Sequence, residues 1–269
     1  MFQIIKIKKK SIKQWTGYIN NKILKPLSSQ LGHDIRVDVY GKSDKYDFED
    51  ETSDIVGLLI PNYTMLSAPR LITLYQQVRY LELNNIEGDL VECGVWRGGA
   101  AGMMSQAQLK FGEKRRQIHL FDSFEGLPKA TIDDNVYEQR SLGVRDGELM
   151  ESTGRMKADI SYVKRLLFEI IKYPKDYVTF HIGWFQDTVN KAQNEKIALL
   201  RLDGDLYEST KICLEGFWDK VVSKGIIIID DYGSFEGCKK AVDEFIHKLD
   251  YKPLLNHIEG DGGRYIIKM

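Results

Sequence analysis

The sequence is poor in residues that staple or interrupt a fold, with three cysteines and six prolines in 269 residues. Cys93, Cys213 and Cys238 stand far apart with no C-x-x-C pair. That spacing offers neither a disulfide framework nor a thiolate metal site, and the odd count suits reduced thiols in a cytoplasmic setting. Charge of one sign is missing too: 38 Lys+Arg stand against 39 Asp+Glu, a formal net charge of −1. This balance excludes the strongly basic field of an electrostatic nucleic-acid binder, and no nucleic-acid partner is expected. No apolar run approaches the roughly 20 residues that cross a bilayer, so no transmembrane segment is expected. The first 15 residues lack a continuous apolar stretch and a small-residue cleavage site, which argues against a signal peptide. The five histidines, His33, His119, His181, His247 and His257, show no metal-ligand spacing.

What is present begins with a basic arm. Lys6, Lys8, Lys9, Lys10, Lys13, Lys22 and Lys25 fall in an acid-free N-terminus that reads as a helical segment over residues 1–31. A solvated terminal helix is the plain expectation, and contact with an anionic membrane surface or polyanionic glycan the alternative. An acidic, aromatic-bearing loop follows at Asp44 to Asp54. Residues 1–65 are therefore assigned to an N-terminal region serving the acceptor or a homo-oligomer, and residues 66–269 to the main domain.

Within that domain Leu71, Leu74, Val78 and Leu81 repeat with the period of an amphipathic helix. Short β-rich runs then alternate with helical segments: Asp89–Cys93, Gln117–Phe121, Tyr177–Ile182, Ile197–Leu202 and Ile226–Ile229. This cadence predicts βαβ units and a doubly wound, mostly parallel α/β sheet. Lys252–Ile258 and Arg264–Lys268, separated by a glycine-rich turn, predict an antiparallel pair at one edge and bring the count to seven strands. Residues 125–160 lack apolar periodicity, and a connection of that length predicts a lid or binding loop.

Three motifs carry chemistry. VECGVWRGG (Val91 to Gly99) puts glycines at a strand-to-helix turn, where a nucleoside ligand can approach the backbone. It departs from G-x-G-x-x-G, which favours a ligand without a pyrophosphate, such as S-adenosylmethionine. Asp122, at the tip of the second strand, is where a ribose diol is held. Finally, Asp203-Gly204-Asp205 follows the fourth strand and Asp230-Asp231 the fifth. If these strands are neighbours about 4.8 Å apart, three or four carboxylates surround one small volume. Hard oxygen ligands without competing Cys or paired His imply Mg²⁺, or else Ca²⁺ or Mn²⁺. Two weaker patterns overlap this region. Asp203-Gly204-Asp205 matches the D-x-D of many glycosyltransferases, and Tyr207 with Lys211 has the Y-x-x-x-K spacing of short-chain dehydrogenases, here read as helix surface.

Taken together, LVECGVWRGG, HLFDSFEGLP, HIGWFQDTV, LLRLDGDLYEST and GIIIIDDYGSFEGCKKAV resemble the macrocin O-methyltransferase (TylF/MycF) family of sugar O-methyltransferases, over roughly residues 70–269. The resemblance implies the class I, Rossmann-like methyltransferase fold, S-adenosylmethionine and a divalent metal. It implies transfer of a methyl group to a hydroxyl of a sugar, nucleotide sugar or glycoconjugate. By position, Asp203, Asp230 and Asp231 resemble the metal ligands and Asp205 the general base. Glu92, Gly94 and Asp122, with Arg97, Ser123, Gly183 and Trp184, fall in the cofactor shell. A catechol-type small-molecule O-methyltransferase and a cofactor-binding module without turnover stay open as alternatives.

Overall fold

The computed structural model describes residues 49–147, 149–192, 196–259 and 262–269, all within one compact unit, Asp47–Met269. The basic arm of residues 1–31 lies outside the described residues. Two helices open the unit, α1 (Glu49–Leu59) and α2 (Ala68–Leu83), the second with proline in its first turn, where no hydrogen bond is lost. Then come β1 (Asp89–Cys93), α3 (Gly99–Phe111) and β2 (Ile118–Asp122). The long connection carries a short helix, α4 (Val136–Leu142), and ends in α5 (Ile160–Lys164), which continues as a π-helix over Arg165–Ile170. The rest is β3 (Val178–Ile182), α6 (Phe185–Thr188), β4 (Ile197–Leu202), α7 (Tyr207–Phe217), β5 (Val221–Ile229), α8 (Glu236–Lys248), β6 (Asn256–His257) and β7 (Arg264–Ile267).

The seven strands form one sheet in the order β3-β2-β1-β4-β5-β7-β6. The first five are parallel, and β7 runs antiparallel to both β5 and β6. Two strands depart from the expected ranges by more than one residue, for identifiable reasons. β5 starts at Val221 because Ser223-Lys224-Gly225 bulges out of the ladder: Ile197 pairs with Val221, and Leu199 already with Ile226. The sixth strand shrinks to Asn256–His257, since Pro253 has no N–H to donate to a ladder.

Helices cover both sheet faces. Leu90, Ile118, Leu120, Leu199, Ile226 and Ile228 meet α2 and α3, whereas Val91, Phe121, Leu200, Leu202, Ile227 and Ile229 meet α7 and α8. Burying one such side chain is worth about 1.5–3 kcal/mol. Leu59, Tyr63 and Leu66, on either side of residue 65, belong to the same buried core as Leu71 and Met103. Nor are residues 125–160 a structureless loop. Besides α4 they form bridges between Pro128 and Ser152 and between Ala130 and Val144.

Candidate active site

The parallel strands end together. Each ladder runs one bond past the strand: Gly183 N–H donates to Asp122 O (3.1 Å), Gly94 to Phe121 O (2.9 Å), Asp203 to Cys93 O (2.8 Å) and Asp230 to Leu202 O (2.9 Å). Every motif therefore lies along one edge of the sheet, where open α/β folds bind ligands beside the switch in strand order.

Gly94 shows why this edge is tightly built. Its φ of +91° suits glycine, and a Cβ here would overlap the carbonyl oxygen of Asp203. The backbone that approaches Gly94 thus belongs to the acidic loop, and this glycine joins the two motifs into one site. Asp122 organises the loop further on. Its Oδ2 accepts from the N–H of Val95 (2.7 Å) and Trp96 (3.0 Å), and its Oδ1 from Phe124 (2.7 Å). Burial raises its proton affinity, opposed by these three amides. A carboxylate oxygen accepts about two hydrogen bonds, so Oδ1 keeps capacity for a ligand hydroxyl. Arg97 lies over the rings of Trp96 (4.6 Å) and Tyr162 (5.0 Å), and its Nε is buried without a partner among the described residues. Ser123 Oγ accepts from Glu125 N–H (3.1 Å), and Trp184 is the N-cap residue of α6.

The acids beyond β4 and β5 are arranged differently. Asp203, Asp205 and Asp231 each offer a carboxylate oxygen, the three atoms lying within 4.8 Å of one another. Asp205 N–H donates to Asp231 Oδ2 (3.1 Å), and Asp205 has a left-handed backbone, φ +58°. Such a conformation is uncommon for a residue with a side chain and concentrates at functional turns. Asp230 stands outside this trio, because its carboxylate meets Arg70 Nη1 at 2.7 Å and Arg201 Nη2 at 3.0 Å. Arg201 also meets Asp203 (2.8 Å) and Glu92 (2.9 Å). Residue alternation explains the grouping. Glu92 and Arg201 are register partners on β1 and β4, and Asp230 follows β5 on the same face.

The electrostatics follow from the crowding. Removal of water, then the charges of Asp203 and Asp230, hold Asp205 well above the usual carboxylate range. Asp231 is raised in the same direction by burial and by Asp205. Burial pushes Glu92 up to about 8 against the pull of Arg201, and its Oε2 has no hydrogen-bond partner among the described residues.

Sequence reasoning missed Arg201 and Arg70. The signal was present at Arg201, a charge inside the apolar run Ile197–Leu202, which a buried parallel strand accepts only when paired. It also missed a histidine pair: His119 Nδ1 lies 3.1 Å from His181 Nε2, and His119 Nε2 lies 3.3 Å from Asp89, at the other end of β1. Tyr207 and Lys211 are not the helix surface expected, because Tyr207 is buried; the ammonium lies 5.7 Å from the ring centroid, and the phenol donates to Glu244 (2.7 Å).

A seven-stranded sheet of this order with its ligand edge beside β1 and β4 is the class I S-adenosylmethionine-dependent methyltransferase fold. The solved O-methyltransferase NovP shares it, with a TM-score of 0.68 and 35% identity over 77% of this chain and 82% of that one. The profile of the Macrocin-O-methyltransferase (TylF) family matches residues 27–265, and the chain belongs to that family of O-methyltransferases. Among its relatives are the demethyldecarbamoylnovobiocin O-methyltransferase of Streptomyces niveus, 37% identical over 74% of each chain, and the 8-demethyl-8-(2,3-dimethoxy-alpha-L-rhamnosyl)-tetracenomycin-C 4'-O-methyltransferase of Streptomyces olivaceus, 34% identical over 74% of each.

Proposed function

We propose that this enzyme methylates a hydroxyl of a sugar or glycoconjugate with the help of a divalent cation. The observation that carries the reading is the convergence of Asp203, Asp205 and Asp231 at the strand ends, in backbone contact with the cofactor loop at Gly94. The donor set fits a hard cation: all oxygen and crowded, with burial and neighbouring carboxylates raising the proton affinity of Asp205 and Asp231. The sugar acceptor is supported by membership in a family whose relatives carry rhamnosyl and novobiocin substrates in their names.

In this reading Asp203 and Asp231 hold the cation. Asp230, ion-paired to Arg70 and Arg201, would complete the set, and Asp205 would accept the proton of the acceptor hydroxyl. Bound S-adenosylmethionine supplies an activated methyl group, and the cation lowers the pKa of a chelated hydroxyl. Asp122 would hold the ribose, and Glu92, Arg97, Ser123, Gly183 and Trp184 would complete the cofactor shell. Transfer would leave S-adenosylhomocysteine, with the hydroxyl proton held on Asp205.

The test incubates the protein with methyl-labelled S-adenosylmethionine and a panel of nucleotide sugars, glycosides and catechols, with Mg²⁺ and after chelation. Label should enter sugars, stop on chelation and return with Mg²⁺. Undiminished transfer after exhaustive chelation sinks the cation, and transfer to catechols alone sinks the sugar.

A further inference from the structure

Helices α7 and α8 begin immediately after the two acidic turns, and neither carries a cap of its own. Their N-cap residues are Leu206 and Phe235, whose side chains cannot accept a hydrogen bond. Uncapped first-turn N–H groups at a buried helix end are a cost that proteins rarely leave standing. Here the partner comes from residues 125–160. Asp134 Oδ1 accepts from Tyr207 N–H, the first residue of α7, at 2.8 Å, and Glu138 Oε1 accepts from Glu236 N–H, the first residue of α8, at 2.9 Å. Both acids are 3% exposed, and both are held from behind: Asp134 Oδ2 by Thr131 N–H (2.7 Å), Glu138 Oε2 by Asn135 N–H (3.0 Å). The contact also has its own notch. A Cβ on Gly237, inside α8, would overlap Asp134 Oδ1 and lie 2.9 Å from Tyr207 N.

We propose that Asp134 and Glu138 are positioning residues, which cap α7 and α8 from outside and so hold the Asp203–Asp205 and Asp230–Asp231 turns in the arrangement that brings their carboxylates together. Tyr207 is two residues beyond Asp205, so the capped N–H fixes where the left-handed turn ends. Glu236 stands one residue beyond Phe235, whose N–H, like that of Ser234, donates to the carbonyl of Asp231 at 2.9 Å. Negative charge at a helix N-terminus is favourable on its own account. The segment carrying Asp134 and Glu138 is thus a clamp on the two site helices, rather than a flap that swings free of them. The inference rests on reading the acidic cluster as a cation site.

The experiment measures Mn²⁺ affinity, S-adenosylhomocysteine affinity and amide exchange on the full-length chain. Asp134→Ala should weaken Mn²⁺ binding about fivefold, the size of one lost helix cap, and speed exchange of residues 203–207, with S-adenosylhomocysteine binding unchanged. Asp134→Asn should recover only part of the loss, since its carbonyl can accept from Tyr207 and its amide can donate to Thr131 Oγ1, but Thr131 N–H loses its acceptor. Gly237→Ala tests the same bond from the other side: it favours the helix yet wedges Asp134 out, and should mimic Asp134→Ala. A purely structural role would lower the melting temperature and leave the Mn²⁺ affinity of folded protein as it was. Wild-type Mn²⁺ affinity in folded Asp134→Ala, Glu138→Ala and Gly237→Ala would overturn the proposal. If the wild type binds no Mn²⁺, the cation reading itself falls. The exchange data then decide the clamp alone, unchanged rates at residues 203–207 in Asp134→Ala removing it.

Discussion

Two acidic stations share one edge of the sheet, and they are built in opposite ways. At β2, Asp122 is held by three backbone N–H groups, fixed dipoles that belong to the loop it organises. At the ends of β1, β4 and β5, Glu92, Asp203, Asp205, Asp230 and Asp231 crowd around the guanidiniums of Arg70 and Arg201, five carboxylates against two cations among the described residues, with one backbone N–H, that of Asp205, on Asp231. A charge satisfied by backbone amides is complete as it stands. A cluster with more carboxylates than guanidiniums is complete only with a proton or another cation; burial first, and then the neighbouring carboxylates, raise the proton affinities of Asp205 and Asp231. The contrast separates a station that fixes geometry from one that awaits a ligand.

Breaking the second station should have the largest effects. Asp205→Asn should lower the rate of methyl transfer by about 10²–10⁴, the range for losing a general base, with Mn²⁺ affinity nearly retained. Asp203→Asn should instead weaken Mn²⁺ binding, and excess Mg²⁺ should restore part of its activity. Should Asp205→Asn abolish Mn²⁺ binding while Asp230→Asn leaves it intact, the two exchange roles, in line with the convergent trio of oxygens.

Arg201→Ala comes next. It leaves Glu92 and Asp230 buried without their shared partner, and breaking a buried pair costs about 3–5 kcal/mol. Urea unfolding should show the loss, and Arg201→Met with Glu92→Gln should recover part of it, because the second change removes the stranded charge.

At the first station a smaller, more specific effect is expected. In Asp122→Asn the single carbonyl oxygen can serve Val95 and Trp96 only by turning the amide nitrogen toward Phe124 N–H. One buried donor loses its partner at about 1–3 kcal/mol. Calorimetry should show S-adenosylhomocysteine bound roughly tenfold more weakly and Mn²⁺ bound as before.

The smallest effect is a slope in pH. Glu92 is raised to about 8, and Asp205 and Asp231 are raised as well. Folded groups that hold protons more tightly than unfolded ones add stability below the unfolded pKa, near 4, and lose it as pH rises through the folded value. Metal-free protein should therefore melt progressively lower between about pH 4.5 and 8, and Mg²⁺ should flatten the curve. A melting temperature that climbs over this range in the presence of a chelator would contradict the charge shortage.

Much of this molecule is legible along the chain. The alternation of β-rich and helical runs, the aliphatic strands buried on both faces and the order of the motifs determine a doubly wound sheet whose glycine loop, Asp122 and acidic pairs share one edge. These are local signals: side-chain period, turn chemistry and the rule that ligands bind beyond strand ends need no knowledge of distant contacts. Tertiary structure alone decided the rest. Arg70 is 160 residues from Asp230 and Glu92 is 109 from Arg201, so which carboxylates are neutralised and which are left crowded is settled only when strands align in register. Likewise nothing near Leu206 or Phe235 announces that their helices are capped by Asp134 and Glu138. An N–H group is satisfied by whichever acceptor the fold brings within 3 Å, and that acceptor's place in the sequence is free.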